Sequence, residues 1–160
     1  DGVWTDGSMY YFEDGNESKR FNTYDSAGVL LLQTLNIPLI VLSGEKSKMV
    51  ERRAKKLGIN EVFLGIKNKL NVAKEILSKH KLSLIDAAFI GDDLNDLQLL
   101  KNVGLSACPS NASELIQNNV DWILTKSGGK GAFREFVEKY LAEKNILNNT
   151  NSLIINNLYS

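Results

Sequence analysis

The chain has 160 residues, 43% of them hydrophobic and 24% charged, enough to bury one core but short for two. Lysine plus arginine equals aspartate plus glutamate at 19 each, so no net field favours nucleic acid or an anionic membrane, and any anion site must be local. The single cysteine, Cys108, excludes an internal disulfide, and no apolar run approaches the ~20 residues of a membrane span. A cytoplasmic protein without a secretory signal is expected.

In chain order, Met9 to Phe12, the turn Glu13-Asp14-Gly15-Asn16 and Glu17 to Phe21 predict a β-hairpin. Ala27, Leu30, Leu31 and Leu35 recur at helical spacing from Tyr24, and Asn36 and Pro38 end that helix before the apolar strand Leu39 to Leu42. Strand and helix then alternate. A helix over 46–57 closed by Gly58, a strand at 62–64, a helix over 69–79 and a strand at 87–90 are followed by a short helix at 97–101, a strand at 105–107, a helix at 114–118, a strand at 122–124 and a last helix over 132–143. Short apolar strands separated by helices predict an α/β fold, a doubly wound parallel sheet buried on both faces, with the hairpin as an excursion. Residues 1–144 form the core in this reading, and the asparagine-rich tail 145–160 is expected to be mostly disordered.

Ligands bind such sheets beyond the carboxyl ends of the strands. Asp1-Gly2, Ser43-Gly44 after Leu42, and Gly91-Asp92-Asp93 after Ile90 fall at such positions, and Lys69 opens the helix between the last two. Carboxylates holding a hard magnesium ion, with a hydroxyl and an ammonium nearby, are the parts phosphoryl transfer needs. Taken singly these residues are ordinary: acids before a helix cap it, Ser-Gly is a turn, and lysine is usually solvated.

Together, Asp1-Gly2-Val3-Trp4-Thr5-Asp6-Gly7, Ser43-Gly44-Glu45, Lys69-Leu70 and Gly91-Asp92-Asp93-Leu94-Asn95-Asp96 resemble, in order, the four motifs of the haloacid dehalogenase phosphatases. The hairpin, the run Phe21 to Gly28 and the run Gly128 to Glu135 resemble the branch with no cap domain that dephosphorylates 3-deoxy-2-keto sugar acids, namely the Kdo 8-phosphate and nonulosonate 9-phosphate phosphatases. The family's first motif is Asp-x-Asp-Gly. Asp1 matches its second aspartate, which implies that the nucleophile that becomes an aspartyl phosphate lies two positions before Asp1.

The resemblance implies Asp1 as acid, base and, through its carbonyl, metal ligand, with Lys69 also catalytic. It implies Asp92 as a ligand of Mg2+, Asp93 and Asp96 as residues behind the metal, and Ser43, Gly44 and Lys69 as the phosphate cradle. Glu45 stands where Kdo 8-phosphate phosphatases typically carry arginine, and Arg53 and Lys56 lie at i and i+3 on the next helix. With Arg134 on a flexible glycine-rich segment reaching another subunit of a homotetramer, these residues predict a sialic-acid-like nonulosonate 9-phosphate as substrate. Kdo 8-phosphate is the alternative. A phosphate-accepting receiver domain is the rival from another class, although receivers place paired acids early and lysine last, and a non-catalytic oligomerisation module is a second.

Overall fold

The computed structural model describes residues 1–159. The hairpin forms as β1 (Tyr10–Tyr11) and β2 (Glu17–Ser18), antiparallel, with Gly15 at positive φ in the turn. Helix α1 (Asp25–Thr34) leads to β3 (Ile40–Leu42), and α2 (Lys48–Lys56) to β4 (Glu61–Phe63), which pairs in parallel with β3. Helix α3 (Lys69–Lys79) and a 3-10 turn at Leu84–Asp86 precede β5 (Ala88–Ile90). A second 3-10 turn at Leu94–Asp96 continues into α4 (Leu97–Leu100), then β6 (Leu105–Cys108), α5 (Glu114–Gln117), β7 (Trp122–Ile123), α6 (Ala132–Glu143) and α7 (Leu147–Tyr159).

Local signals start the helices that carry the site. Ser47 and Asn68 occupy the N-caps of α2 and α3, and their side chains accept from the backbone N–H groups of Val50 and Asn71. The main core lies between α1 and α6: Val29, Leu31 and Leu32 meet Phe133, Phe136, Val137 and Leu141. Trp4 and Trp122 add edge contacts to Phe133 and Phe136 at 5.9 Å.

The structure departs from the sequence reading in two places. The tail is ordered as α7 and packs on α1 and α6, with Thr150 buried and Ile146, Leu147 and Ile154 against the core. Its apolar residues recur at helical spacing, and docking them outweighs the weak helix propensity of asparagine. The parallel sheet is also divided: β3 and β4 form one piece, and β5, β6 and β7 the other. Between the pieces runs a cleft of about 890 Å³. On its flanks Ile40–Leu42, Phe89 and Ile90 are half-buried and Ala88 is exposed, because β3 and β5 each lack a neighbour on the cleft side among the described residues. Among those residues no helix is long and apolar enough to cross a membrane.

Candidate active site at the carboxyl ends of the strands

Ser43 follows the last residue of β3 and Gly91 the last of β5, and both segments open on the cleft that Asp1 also lines. The three loops touch. A Cβ on Gly2, which sits at φ +72°, would fall 1.8 Å from Asp92 Oδ2, so the Asp92 carboxylate lies hard against the Asp1–Gly2 backbone. A Cβ on Gly44 would stand 2.8 Å from Asn95 Nδ2, which brings the Ser43-Gly44 turn against the Gly91–Asp96 loop.

The first loop is organised by Thr5, which is fully buried. Its Oγ1 accepts from the N–H groups of Gly2 and Gly7 at 3.2 and 3.3 Å and donates to Asp1 Oδ1 at 3.3 Å. Lys69 extends from the start of α3 into the interior, where its Nζ lies 2.5 Å from Asp96 Oδ1 and both side chains are almost wholly buried. The other oxygen of Asp96 accepts from the backbone N–H groups of Asp92 and Asp93 at 3.0 and 3.2 Å. Asp96 thus fixes the loop that presents Asp92 and holds the lysine ammonium beside it. Asp93 is exposed and caps its 3-10 turn by accepting from the N–H of Leu94. Burial first, then the neighbouring Asp96 carboxylate, pushes the Asp92 carboxyl up to about 6.

Not every candidate arrives at this place. Glu45 lines the cleft. Arg53 does not line it, and its guanidinium donates to Asn22 O and Ser26 Oγ, tying α2 to the start of α1. Lys56 is exposed outside the cleft. Arg134 pairs with Glu138 one turn along α6 at 2.7 Å and does not line its own chain's cleft.

The glycine run that read as a flexible, reaching segment is clamped. The N–H of Gly129 donates to Val3 O at 2.9 Å, the N–H of Gly128 donates to Asn111 Oδ1 at 2.8 Å, and a Cβ on Gly128 would fall 1.8 Å from Gly2 O. Glycine is there because one backbone rests on another. Gly128→Ala is therefore expected to cost about 1–3 kcal/mol in urea unfolding, as overpacking does. An unchanged midpoint would mean that the first loop is free to shift.

Sequence reasoning missed Lys19. Its side chain is 2% exposed, and its Nζ lies 2.5 Å from Asp1 Oδ2 and also pairs with Glu45 Oε2. A lysine among the polar residues of a hairpin arm carries no periodicity or motif that would mark it.

Known proteins share this fold. Residues 42–136 match the family model described as haloacid dehalogenase-like hydrolase. The 3-deoxy-D-manno-octulosonate 8-phosphate phosphatase of Salmonella typhi is 36% identical over 141 residues, covering 88% of this chain and 75% of the relative; that of Yersinia pestis is 34% identical over 155 residues, 97% and 83%. Among solved structures, the Moraxella catarrhalis enzyme in complex with magnesium, phosphate and KDO superposes with a TM-score of 0.92 at 35% identity, over 96% of this chain and 88% of that one. The cobalt-bound Haemophilus influenzae enzyme gives 0.86 at 35% identity, over 92% and 86%. By its motifs, its fold and these relatives, the chain belongs to the haloacid dehalogenase-like hydrolases, in their capless branch of sugar-acid phosphatases.

Proposed function

We propose that this chain is the core of a magnesium-dependent phosphomonoesterase that releases phosphate from a 3-deoxy-2-keto sugar acid, Kdo 8-phosphate foremost. The observation that carries the reading is the meeting of Ser43, the buried Lys69–Asp96 pair, Asp92 and Asp1 at one end of one cleft. The Kdo 8-phosphate enzymes among its relatives favour that sugar. A nonulosonate 9-phosphate is the second reading, and Glu45 alone now supports it, since Arg53 is engaged by Asn22 and Ser26.

The donors suit magnesium. Among the described residues no three His, Cys, Asp or Glu side chains gather as a closed metal cage. Magnesium needs only one or two carboxylates, with water and substrate phosphate completing its shell. The Asp92 carboxylate against the Asp1–Gly2 backbone is such an open set, and a buried acid pushed up to about 6 is one that a cation would relieve. When bound, the ion would neutralise charge on the phosphoryl oxygens.

The chain's own groups do the rest in this proposal. Ser43 and the N–H of Gly44 hold the phosphate, and the Lys69 ammonium faces its charge. Asp1 protonates the departing sugar oxygen and then takes the proton of the attacking water. The carboxylate that attacks phosphorus is the one that the motif resemblance puts two positions before Asp1. The homotetramer implied for the branch is supported by Tyr11 and Phe12 of the hairpin, 73% and 54% exposed, and light scattering at micromolar concentration tests it.

The deciding assay measures phosphate release, with magnesium, by the chain extended upstream through the Asp-x-Asp motif. Kdo 8-phosphate is expected to show the higher kcat/KM; preference for an N-acylneuraminate 9-phosphate would transfer the reading to the second sugar, and no release from either would overturn it.

A metal titration gives a second test. Because the folded pKa of Asp92 lies above its ordinary value, its protonated form favours the fold, and that contribution is lost as pH rises from the ordinary carboxylate range through about 6. Magnesium requires the ionised form. Its addition is expected to raise Tm at about pH 7.5 and to have much less effect at about pH 5. Equal shifts at both pH values would place the ion elsewhere.

A further inference from the structure

Lys19 follows β2 at the foot of the hairpin, and its side chain is 2% exposed, yet it does not line the cleft. Its two partners do. Asp1 and Glu45 both stand in the cleft wall, with the Lys19 ammonium behind them, 2.5 Å from Asp1 Oδ2 and paired with Glu45 Oε2. Burying a cation is costly, and apolar groups often replace a buried ion pair at no loss of stability, so stability alone is a poor reason for such a lysine. A cation that cannot reach a ligand but holds two acids that can acts through them.

The two ends of this arrangement differ in how firmly they are held. Glu45 belongs to a turn with its own anchors: the N–H of Ser43 donates to Phe63 O and that of Ile66 to Ser43 O, each at 2.9 Å, and the N–H of Gly65 donates to Glu45 O at 3.3 Å. The N–H of Glu45 in turn donates to Ser43 Oγ at 3.3 Å, so the carboxylate that meets Lys19 and the hydroxyl of the phosphate cradle sit on one fixed loop. The Asp1 side chain has far less. Among the described residues its carboxylate has, besides Lys19, one long hydrogen bond, 3.3 Å from Thr5 Oγ1. The ammonium therefore takes its place from the phosphate turn and imposes it on Asp1.

We propose that Glu45, Lys19 and Asp1 form a positioning relay, in which Lys19 sets the separation between the phosphate turn and the carboxyl that protonates the departing oxygen, and Glu45 serves the ammonium rather than the sugar. Lys19 and Glu45 are positioning residues in this relay and Asp1 is the catalytic one, so the inference rests on the role given to Asp1 under the proposed function. As the P–O bond to the sugar breaks, the proton of the Asp1 carboxyl passes to the departing oxygen and leaves a carboxylate held by Thr5 and Lys19. Misplacing such a donor by about 1 Å is enough to lose about 10²-fold in rate.

The test uses the chain extended upstream through the Asp-x-Asp motif, with magnesium, and two esters. Kdo 8-phosphate releases an alkoxide that needs a proton, whereas p-nitrophenyl phosphate releases a phenolate that does not. The readout is kcat/KM, which ends at release of the alcohol, so the later proton transfer from water does not enter it. Lys19→Met is expected to lower kcat/KM for Kdo 8-phosphate by about 10–100-fold and for p-nitrophenyl phosphate by no more than about threefold. Glu45→Ala is expected to lower the Kdo 8-phosphate value by about 5–10-fold when made alone and to change nothing further in the Lys19→Met background, because it acts only through the lysine. Equal falls on the two esters would mean that Lys19 merely supports the fold, and overturn the relay. So would a Glu45→Ala effect of the same size in both backgrounds, which would put Glu45 on the sugar itself. Should Lys19→Met fail to fold by circular dichroism, Glu45→Ala alone decides, a fall confined to Kdo 8-phosphate supporting the relay and equal falls refuting it. An unsubstituted chain that releases phosphate from neither ester would take the relay down together with the catalytic reading, whereas equal falls in an active enzyme sink the relay alone.

Discussion

In the chain extended upstream through the Asp-x-Asp motif, Asp1→Asn is expected to lower kcat by about 10²–10⁴-fold, the range of a lost general acid and base, while KM moves far less. The amide keeps the size of the carboxylate and one oxygen to accept from Thr5, while its NH2 takes the place of the oxygen that faces Lys19, so the loop built on Thr5 stays in place and the Lys19 pair is lost. What is lost is the capacity to give a proton to the sugar oxygen and take one from water. Steady-state kinetics on Kdo 8-phosphate checks this, with circular dichroism showing that the fold persists. A fall of less than about fivefold would mean that another group moves the proton.

Lys69→Met tests two roles at once, and a second substitution separates them. The methionine leaves Asp96 buried at 2% exposure without its cation, and breaking a pair of this kind costs about 3–5 kcal/mol. The backbone N–H groups of Asp92 and Asp93 still reach Asp96, which places the expected loss near the lower end of that range. Lys69→Met/Asp96→Asn removes the uncompensated charge and should recover most of the stability in urea unfolding, a non-additivity expected of touching residues. Phosphate release should not recover with it. Loss of an ammonium facing the phosphoryl oxygens is expected to hold turnover down by about 10²–10³-fold in both variants. If the double variant regains activity along with stability, Lys69 serves the fold and not the substrate.

Much of the architecture was legible because periodicity and punctuation agreed. Leu70, Ala73 and Leu77 at helical spacing marked α3, and the last helix expected over 132–143 forms as α6. The meeting of Ser43, Lys69 and Asp92 followed from their places at or between strand ends. Other features depend on tertiary contact and leave no local trace. The basic pair Arg53 and Lys56 shares a helix face, yet which partner Arg53 finds is decided by the chain reversal at Asn22, far away in sequence. The glycines at 128 and 129 read as freedom, and only the backbone packed against them reveals a close approach instead. The order of α7 comes from a surface that α1 and α6 supply.

The position of Lys19 has a mechanical corollary. One ammonium at the foot of the β1–β2 hairpin grips the acid that would move the proton and, at the same time, the acid beside the phosphate turn. The β1–β2 arm is thus riveted by a single cation to two otherwise separate loops, so any displacement of that arm must either carry both acids with it or break the pairs.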